Sequence, residues 1–158
     1  MPGCGAGHEV EGLARAGFDV VGVDYTAAAV ARTRSRLAAA GLAATVVQSN
    51  VLTWQPDSPL DAVYEQTCLC ALHPDHWQAY AAQVLRWLRP GGLLCALWMQ
   101  APRPGAAEGL IENPPYHGDI HAVRALFPAA HWDWPPPPYK RVPHPLGPTE
   151  LAVTLVRR

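Results

Sequence analysis

The chain has 158 residues, among them 17 Pro, 13 Gly and 4 Cys, with 49% hydrophobic residues and a formal net charge of -1. That length suits one domain with a sizeable core and leaves no room for two at ~100 to 200 residues each. Twelve Lys and Arg stand against 13 Asp and Glu, so no broad basic field is present to neutralise a nucleic-acid backbone. No apolar run reaches the ~18 residues of a membrane span, and MPGCGAGHE lacks the basic start and apolar stretch of a signal peptide. A cytoplasmic protein is expected, with Cys4, Cys68, Cys70 and Cys95 as reduced thiols rather than a disulfide framework.

Residues 8 to 99 alternate helical and extended patterns with short connections, as in βαβ units around a parallel sheet. HEVEGLARAG reads as a helix with Val10, Leu13 and Ala14 on one face and Gly17 at its end. FDVVGVD is a buried strand. The Ala-rich segment 26 to 40 is a helix with Thr26 as N-cap, Gly41 ending it, and Arg32, Arg34 and Arg36 toward solvent. ATVVQ (44 to 48) and LDAVY (60 to 64) are the next strands, and EQTCLCALH is a loop. From Pro74 a helix presents Trp77, Tyr80, Ala81, Val84, Leu85 and Leu88 at helical spacing until Pro90-Gly91-Gly92, and LLCALWM follows as a strand. Twelve of the 17 prolines lie between residues 102 and 148. A Pro-stiffened loop, a short helix at HAVRALF and closing strands near AHWDW and TELAVTLVRR are expected there, because Pro is expelled from central strands.

Gly3-Cys4-Gly5-Ala6-Gly7 is a G-x-G-x-G loop entering a helix. Glycines at this spacing let the backbone turn tightly and approach a ligand, while the helix N-terminus offers free N–H groups to an anion. A dinucleotide fingerprint would place its third glycine at position 8, which is His8, and this counts against NAD or FAD. Asp24 ends the next strand, about 20 residues on, where an acid can accept from both ribose hydroxyls of a nucleoside; the alternative is a carboxylate that merely caps the following helix. Gln48-Ser49-Asn50-Val51 follows the next strand, where a side-chain oxygen can accept from an adenine amine.

With these residues the chain resembles the S-adenosylmethionine-dependent methyltransferases, and within them the thiopurine S-methyltransferase-like group of thiol and halide methyltransferases. PGCGAGHEVEGLARAGFDVVGVD is similar to that group's first two motifs, and LDAVYEQTCLCALHP, LRPGGLLCALWM and ENPPYHGDIHAVRALFP to its later signatures. The resemblance implies an α/β, Rossmann-like seven-stranded methyltransferase fold of sheet order 3-2-1-4-5-7-6. It implies one domain over residues 1 to 158, with cofactor-binding βα units over 1 to 99 and a Pro-rich substrate loop with closing strands over 100 to 158. S-adenosyl-L-methionine is the implied cofactor. Gly3, Cys4, Gly5 and Gly7 would lie near its methionine part, Asp24 with Tyr25 at the ribose, and Asn50 with Val51 at the adenine. Asn50 departs from the acidic residue often found there, so weaker binding is expected. Glu65, Gln66 and Thr67 end the strand that faces the reactive methyl group, and Glu65 either orients the ligand or serves as a helix N-terminal carboxylate. Tyr116 sits on a Pro-rigid loop toward the acceptor, a small molecule with a soft nucleophile such as a thiol, a thiopurine-like group, a selenol or a halide.

Other readings are weaker. Asn113-Pro114-Pro115-Tyr116 spells the NPPY of amino-methyltransferases, but there it follows the fourth strand and here the fifth. His117 and His121, or Cys68 and Cys70, make no metal site at conventional spacing, and solvated or core-satisfied histidines are expected instead. Trp132 and Trp134 alternate as strand residues, one of them packing inward. Only Met1 and Pro2 precede the glycine loop, so the resemblance implies that strand 1 and the N-terminal helices are absent, leaving strand edges unpaired and self-association a reasonable expectation. The second reading is therefore a truncated, catalytically inactive fragment.

Overall fold

The computed structural model describes residues 1–108, 110–111, 113–145 and 147–158; Glu112, the first residue of the expected ENPPY signature, lies outside the described residues. The chain divides into two compact units, Met1–Gln55 and Pro56–Arg158. The boundary expected near residue 99 falls inside the second unit, within a strand that the C-terminal strand pairs with.

In the first unit, helix α1 (His8–Arg15) is followed by strand β1 (Val21–Asp24), helix α2 (Ala27–Ala40) and strand β2 (Thr45–Gln48). β1 and β2 run parallel, Val21 opposite Thr45 and Asp24 opposite Gln48. The residues before the glycine loop add to this sheet: Pro2 bridges Val23 in parallel, and Val23 N–H donates to Met1 O at 2.9 Å while Cys4 N–H donates to Val23 O at 3.1 Å. The expected strand over 18 to 24 is shorter at its start, where Phe18 is 63% exposed. α2 is capped as its sequence requires. Thr26 Oγ1 accepts from Ala29 N at 3.2 Å, and Gly41 ends the helix at φ 64°, a left-handed conformation that glycine adopts without steric cost. Cys4, Val10, Val20, Val30, Leu37 and Val46 form the core of this unit.

The second unit holds a five-stranded sheet. β3 (Leu60–Gln66) pairs parallel with β4 (Leu88–Gln100), and β4 pairs antiparallel with β7 (Thr149–Arg157), which also pairs with β5 (Trp132–Asp133) and β6 (Lys140–Pro143). Within the units the orders are β1-β2 and β3-β4-β7-β5, the 2-3 and 4-5-7-6 neighbours of the expected sheet. The segment after β3, expected as a loop, contains the single-turn helix α3 (Cys68–Ala71). A 3-10 turn over Pro74–His76 then enters α4 (Trp77–Trp87). α4 stops at Trp87, because Leu88 already belongs to β4 and Pro90-Gly91-Gly92 lies in an irregular part of that strand, where the pairing jumps from Leu60–Leu88 to Ala62–Leu93. α5 (Ile120–Leu126) is the expected short helix, with Asp119 as its N-cap. Trp98, Phe127, Trp132 and Trp134 pack as one aromatic cluster, stacked at Trp98–Phe127 and edge-on at Phe127–Trp132, with neighbouring ring centroids 5.6 to 5.7 Å apart. Trp132 is the one that packs fully inward, at 1% exposure, and Trp134 lies against Trp98 rather than forming an open wall. Among the described residues no helix is long and apolar enough to cross a membrane.

Gly7 has φ +76°, and a Cβ built there would lie 2.6 Å from Thr33 Cγ2 and 2.7 Å from its Oγ1. Gly7→Ala combines backbone strain with a clash against a fully buried side chain, so a loss of about 1–3 kcal/mol is expected. Denaturant titration of the two proteins checks it; equal midpoints would show that the loop is not held against α2.

Candidate functional site

The glycine loop, the end of β1 and the start of α2 form one hydrogen-bonded cluster in the first unit. Gly3, Gly5 and Gly7 all have positive φ, 61°, 54° and 76°. Two carboxylate oxygens organise what they surround. Asp24 Oδ2 accepts from Gly5 N at 2.9 Å, and Oδ1 accepts from Thr26 N at 2.9 Å and from Thr26 Oγ1 at 3.1 Å. Asp24 therefore braces the loop and the α2 cap together. Three donors occupy it, and a carboxylate has about four lone-pair sites, so at least one position stays open to a further donor.

Gly7 and Gly5 serve different ends. At Gly7 the missing Cβ makes room for Thr33, whereas at Gly5 the nearest atom to a Cβ is Gly3 O at 3.9 Å, so that side of the loop is open. Thr33 Oγ1 donates to Gly5 O at 3.0 Å and lies 3.9 Å from Cys4 Sγ. Arg36 Nε donates to Ala6 O at 3.0 Å, and its guanidinium pairs with Glu11 at 3.1 Å. Arg34 donates to Val46 O at 2.7 Å. Of the three arginines expected in solvent, two are thus structural ties, because long side chains on a short helix reach back to the carbonyls of a turn. Thr33 went unread in the sequence, although it stands between Val30 and Leu37 on the apolar stripe of α2, where a hydroxyl needs a partner. Burial pushes the Cys4 thiol above its ordinary pKa.

Tyr25 follows Asp24 with 75% of its surface exposed. Asn50 begins a turn: its Oδ1 accepts from Leu52 N at 2.9 Å and its backbone O accepts from Trp54 N at 2.9 Å. The amide oxygen expected to meet an adenine amine takes one backbone N–H and keeps a second lone pair, and its amide N–H groups make no bond among the described residues. Val51 is buried at 7% exposure.

In the second unit Glu65 is 1% exposed, and its Oε1 accepts from Cys68 N at 3.0 Å and Leu69 N at 2.8 Å. This is the helix N-terminal role, since those amides open α3 and have no partner within it. Oε2 is buried without a partner among the described residues. Burial, opposed by the two amides and reinforced by nearby Glu150, pushes the carboxyl up to about 7. Gln66 links the end of β3 to β7: its Nε2 donates to Glu150 Oε2 at 3.1 Å, and its Oε1 accepts from Tyr64 OH at 3.0 Å. Thr67 turns the chain at φ 63°, a non-glycine residue in the left-handed region. Burial with Glu65 and Glu150 nearby pushes Cys70 up to about 12.

Tyr116 is tied to α3, its N–H donating to Cys70 O at 2.8 Å, and its ring meets His73 edge-on at 5.7 Å. Asn113 is exposed, and the NPPY residues follow β4 rather than β3. The Nδ1 of His117 is buried without a partner among the described residues, unlike a satisfied core histidine. No group of three or more His, Cys, Asp or Glu suited to a metal ion occurs among the described residues.

The folded Glu65 keeps its proton up to about pH 7, whereas an unfolded glutamic acid releases it near 4.5. Its contribution to stability is complete below pH ~4.5 and disappears as pH rises through ~7, an effect of up to about 3 kcal/mol. Glu65→Gln retains an oxygen for the two amides and does not titrate, so the variant should gain stability over the parent at pH ~8 and match it near pH ~4. Urea unfolding at both pH values measures this, and parallel pH slopes for the two proteins would refute it.

Residues 2–92, more than half of the chain, match the methyltransferase domain family. The chain is 29% identical over 129 residues to "Thiocyanate methyltransferase 1" of Arabidopsis thaliana, covering 80% of this chain and 54% of that protein. It is 27% identical over 131 residues to "Thiopurine S-methyltransferase" of Legionella pneumophila (strain Corby), covering 73% and 57%. It thus spans little more than half the length of these curated relatives. Among solved structures it superposes on a SAM-dependent methyltransferase from Methanosarcina mazei with a TM-score of 0.80 at 17% identity, over 98% of this chain and 89% of that one. It superposes on 1,6-didemethyltoxoflavin-N1-methyltransferase of Burkholderia thailandensis with a TM-score of 0.77 at 23% identity, over 99% and 68%. These two likenesses establish the Rossmann-like α/β fold. The match over residues 2–92 establishes the lineage: the chain belongs to the methyltransferase domain family.

Proposed function

We propose that this chain carries an S-adenosyl-L-methionine-dependent methyltransferase activity toward a small soft nucleophile, with the thiol class favoured by the thiocyanate, thiol and thiopurine methyltransferases among its relatives. One observation carries the reading. Asp24, at the carboxyl end of β1, is hydrogen-bonded through Gly5 N at 2.9 Å to a loop whose Gly5 side is open, which joins a nucleoside-type acid and a backbone cradle in one rigid feature. The residues present fit the cofactor: an open loop face, an acceptor site left on Asp24, and the exposed Tyr25 ring beside it.

The cofactor supplies a methyl group on a cationic sulfonium, already an electrophile. The protein's part is then to bind, orient and exclude water. In this reading the loop of Gly3, Cys4, Gly5 and Gly7 holds the methionine part, Asp24 the ribose, and Val51 and Asn50 the adenine. Asn50 would accept from the adenine amine through the lone pair its oxygen keeps beside Leu52 N–H. Glu65 acts as a positioning residue: it holds the α3 amides, and through them Thr67 and the Cys70 carbonyl to which Tyr116 is tied. Transfer would proceed by in-line displacement, for which a thiolate or halide needs no strong base.

A second reading is ligand binding without turnover. Transfer to an amine through NPPY gains nothing from the exposed Asn113.

Calorimetry with S-adenosylhomocysteine tests the cofactor assignment that both the first and the second reading share. The parent chain should bind it, and Asp24→Ala should weaken binding by ~10- to 100-fold, the worth of one or two hydrogen bonds to a charged group. Absence of heat with a folded parent chain would sink the reading, and equal affinity in both proteins would remove Asp24 from the ribose.

A further inference from the structure

A trans peptide unit carries its carbonyl and the following N–H in opposite directions, so tying down one aims the other. Helix α2 ties down two successive units of the glycine loop. Thr33 Oγ1 donates to Gly5 O at 3.0 Å, and Arg36 Nε donates to Ala6 O at 3.0 Å. The N–H that shares a unit with Gly5 O is that of Ala6, and it therefore points away from Thr33. Three neighbouring amides are engaged within the first unit: Cys4 N–H on Val23 O at 3.1 Å, Gly5 N–H on Asp24 Oδ2 at 2.9 Å and Gly7 N–H on Cys4 O at 2.9 Å. Ala6 N–H makes no hydrogen bond among the described residues. Ala6 is half-buried, and the space where a Gly5 Cβ would stand is open, with Gly3 O its nearest atom at 3.9 Å.

Both clamping residues are themselves fixed. Thr33 is 0% exposed, and its methyl and hydroxyl fill the space that Gly7 leaves by lacking a Cβ. Arg36 divides its donors among Ala6 O, Glu11 Oε2 at 3.1 Å and His8 Nε2 at 3.2 Å. Hydrogen bonds from Arg15 and Arg36 hold the Glu11 carboxyl below its ordinary pKa, so these ion pairs persist at neutral pH. Glycine at position 5 places little restraint of its own on rotation of the Gly5–Ala6 unit. Turned over, that unit would present a carbonyl oxygen where it now presents a donor, and an anion would be repelled there.

We infer that Thr33, supported by Arg36, is a positioning residue for the methionine end of the cofactor: its hold on Gly5 O keeps Ala6 N–H turned outward to donate to the ligand's carboxylate. This rests on the proposed cofactor and gives Thr33 no part in the transfer step itself. The ligand group follows from the donor. A fixed backbone N–H without a partner suits an anionic oxygen, and in S-adenosylhomocysteine the carboxylate is the one anionic group.

Calorimetry with three ligands isolates that role: S-adenosylhomocysteine, its decarboxylated form, and methylthioadenosine. All three carry the ribose and adenine, and only the first has the carboxylate. The parent chain should bind S-adenosylhomocysteine ~10- to 100-fold more tightly than the other two, the worth of a hydrogen bond to a charged group. Thr33→Val keeps the shape of the side chain and removes its hydroxyl. It should weaken S-adenosylhomocysteine by ~5-fold and the other two by less than about twofold. Thr33→Ser, which retains the hydroxyl, should bind as the parent does, and Asp24→Ala should weaken all three ligands alike. Arg36→Met should repeat the selectivity of Thr33→Val at ~3-fold, and it decides the matter if Thr33→Val does not fold. Losses shared by all three ligands, or no loss with S-adenosylhomocysteine, would overturn the positioning role. A parent that binds the three equally would overturn the carboxylate contact, and one that binds none of them would overturn the cofactor reading beneath it.

Discussion

Everything in the first unit depends on one backbone donor reaching one carboxylate, Gly5 N–H to Asp24 Oδ2 at 2.9 Å. The loop has to reverse direction within five residues, which needs three left-handed glycines, and such a turn has little to hold it in place by itself. Asp24 supplies the missing restraint from across the sheet, and its other oxygen fixes the Thr26 cap of α2. Thr33 and Arg36 then return from α2 to the carbonyls of Gly5 and Ala6. The loop is therefore held at its amide by β1 and at its carbonyls by α2. A ligand meeting this surface finds it preorganised, with no ordering of the turn required on binding.

The second unit is organised by burial of acids instead. Glu65 and Glu150 are each 1% exposed, and the neutral amide of Gln66 stands beside them, donating to Glu150 and accepting from Tyr64. Burial holds a proton on Glu65 up to about pH 7, and the nearby Glu150 adds to the effect. The amides that Glu65 caps open α3, and α3 in turn anchors Tyr116, so the state of one carboxyl bears on the placement of the loop beyond it.

What the sequence disclosed follows the range of the interactions concerned. The Thr26 cap, the Gly41 stop, the loop glycines and Asp24 were legible because each depends on neighbours within a few residues or on a spacing set by one βα unit. α3 was missed because a single turn has no periodicity; its cause is the Glu65 side chain, which lies before it in the chain. The start of β4 at Leu88 was misplaced because Pro90-Gly91-Gly92 reads as a helix stop, whereas Leu88 already pairs with Leu60 of β3 before it. The amide oxygen of Asn50, the reach of Arg36 and the unpartnered Nδ1 of His117 depend on rotamers, and composition carries no trace of those.

A thiol set in or beside a surface that could meet a reactive ligand is a chemical hazard to the fold that carries it. Cys4 lies inside the glycine loop itself, and Cys68 and Cys70 adjoin the end of β3. All three are sealed, at 2%, 5% and 6% exposure, and burial holds the thiols of Cys4 and Cys70 in the protonated, poorly nucleophilic form. The packing that builds the loop and the end of β3 thus also keeps these thiols from reacting with electrophiles and from exchanging with other thiols.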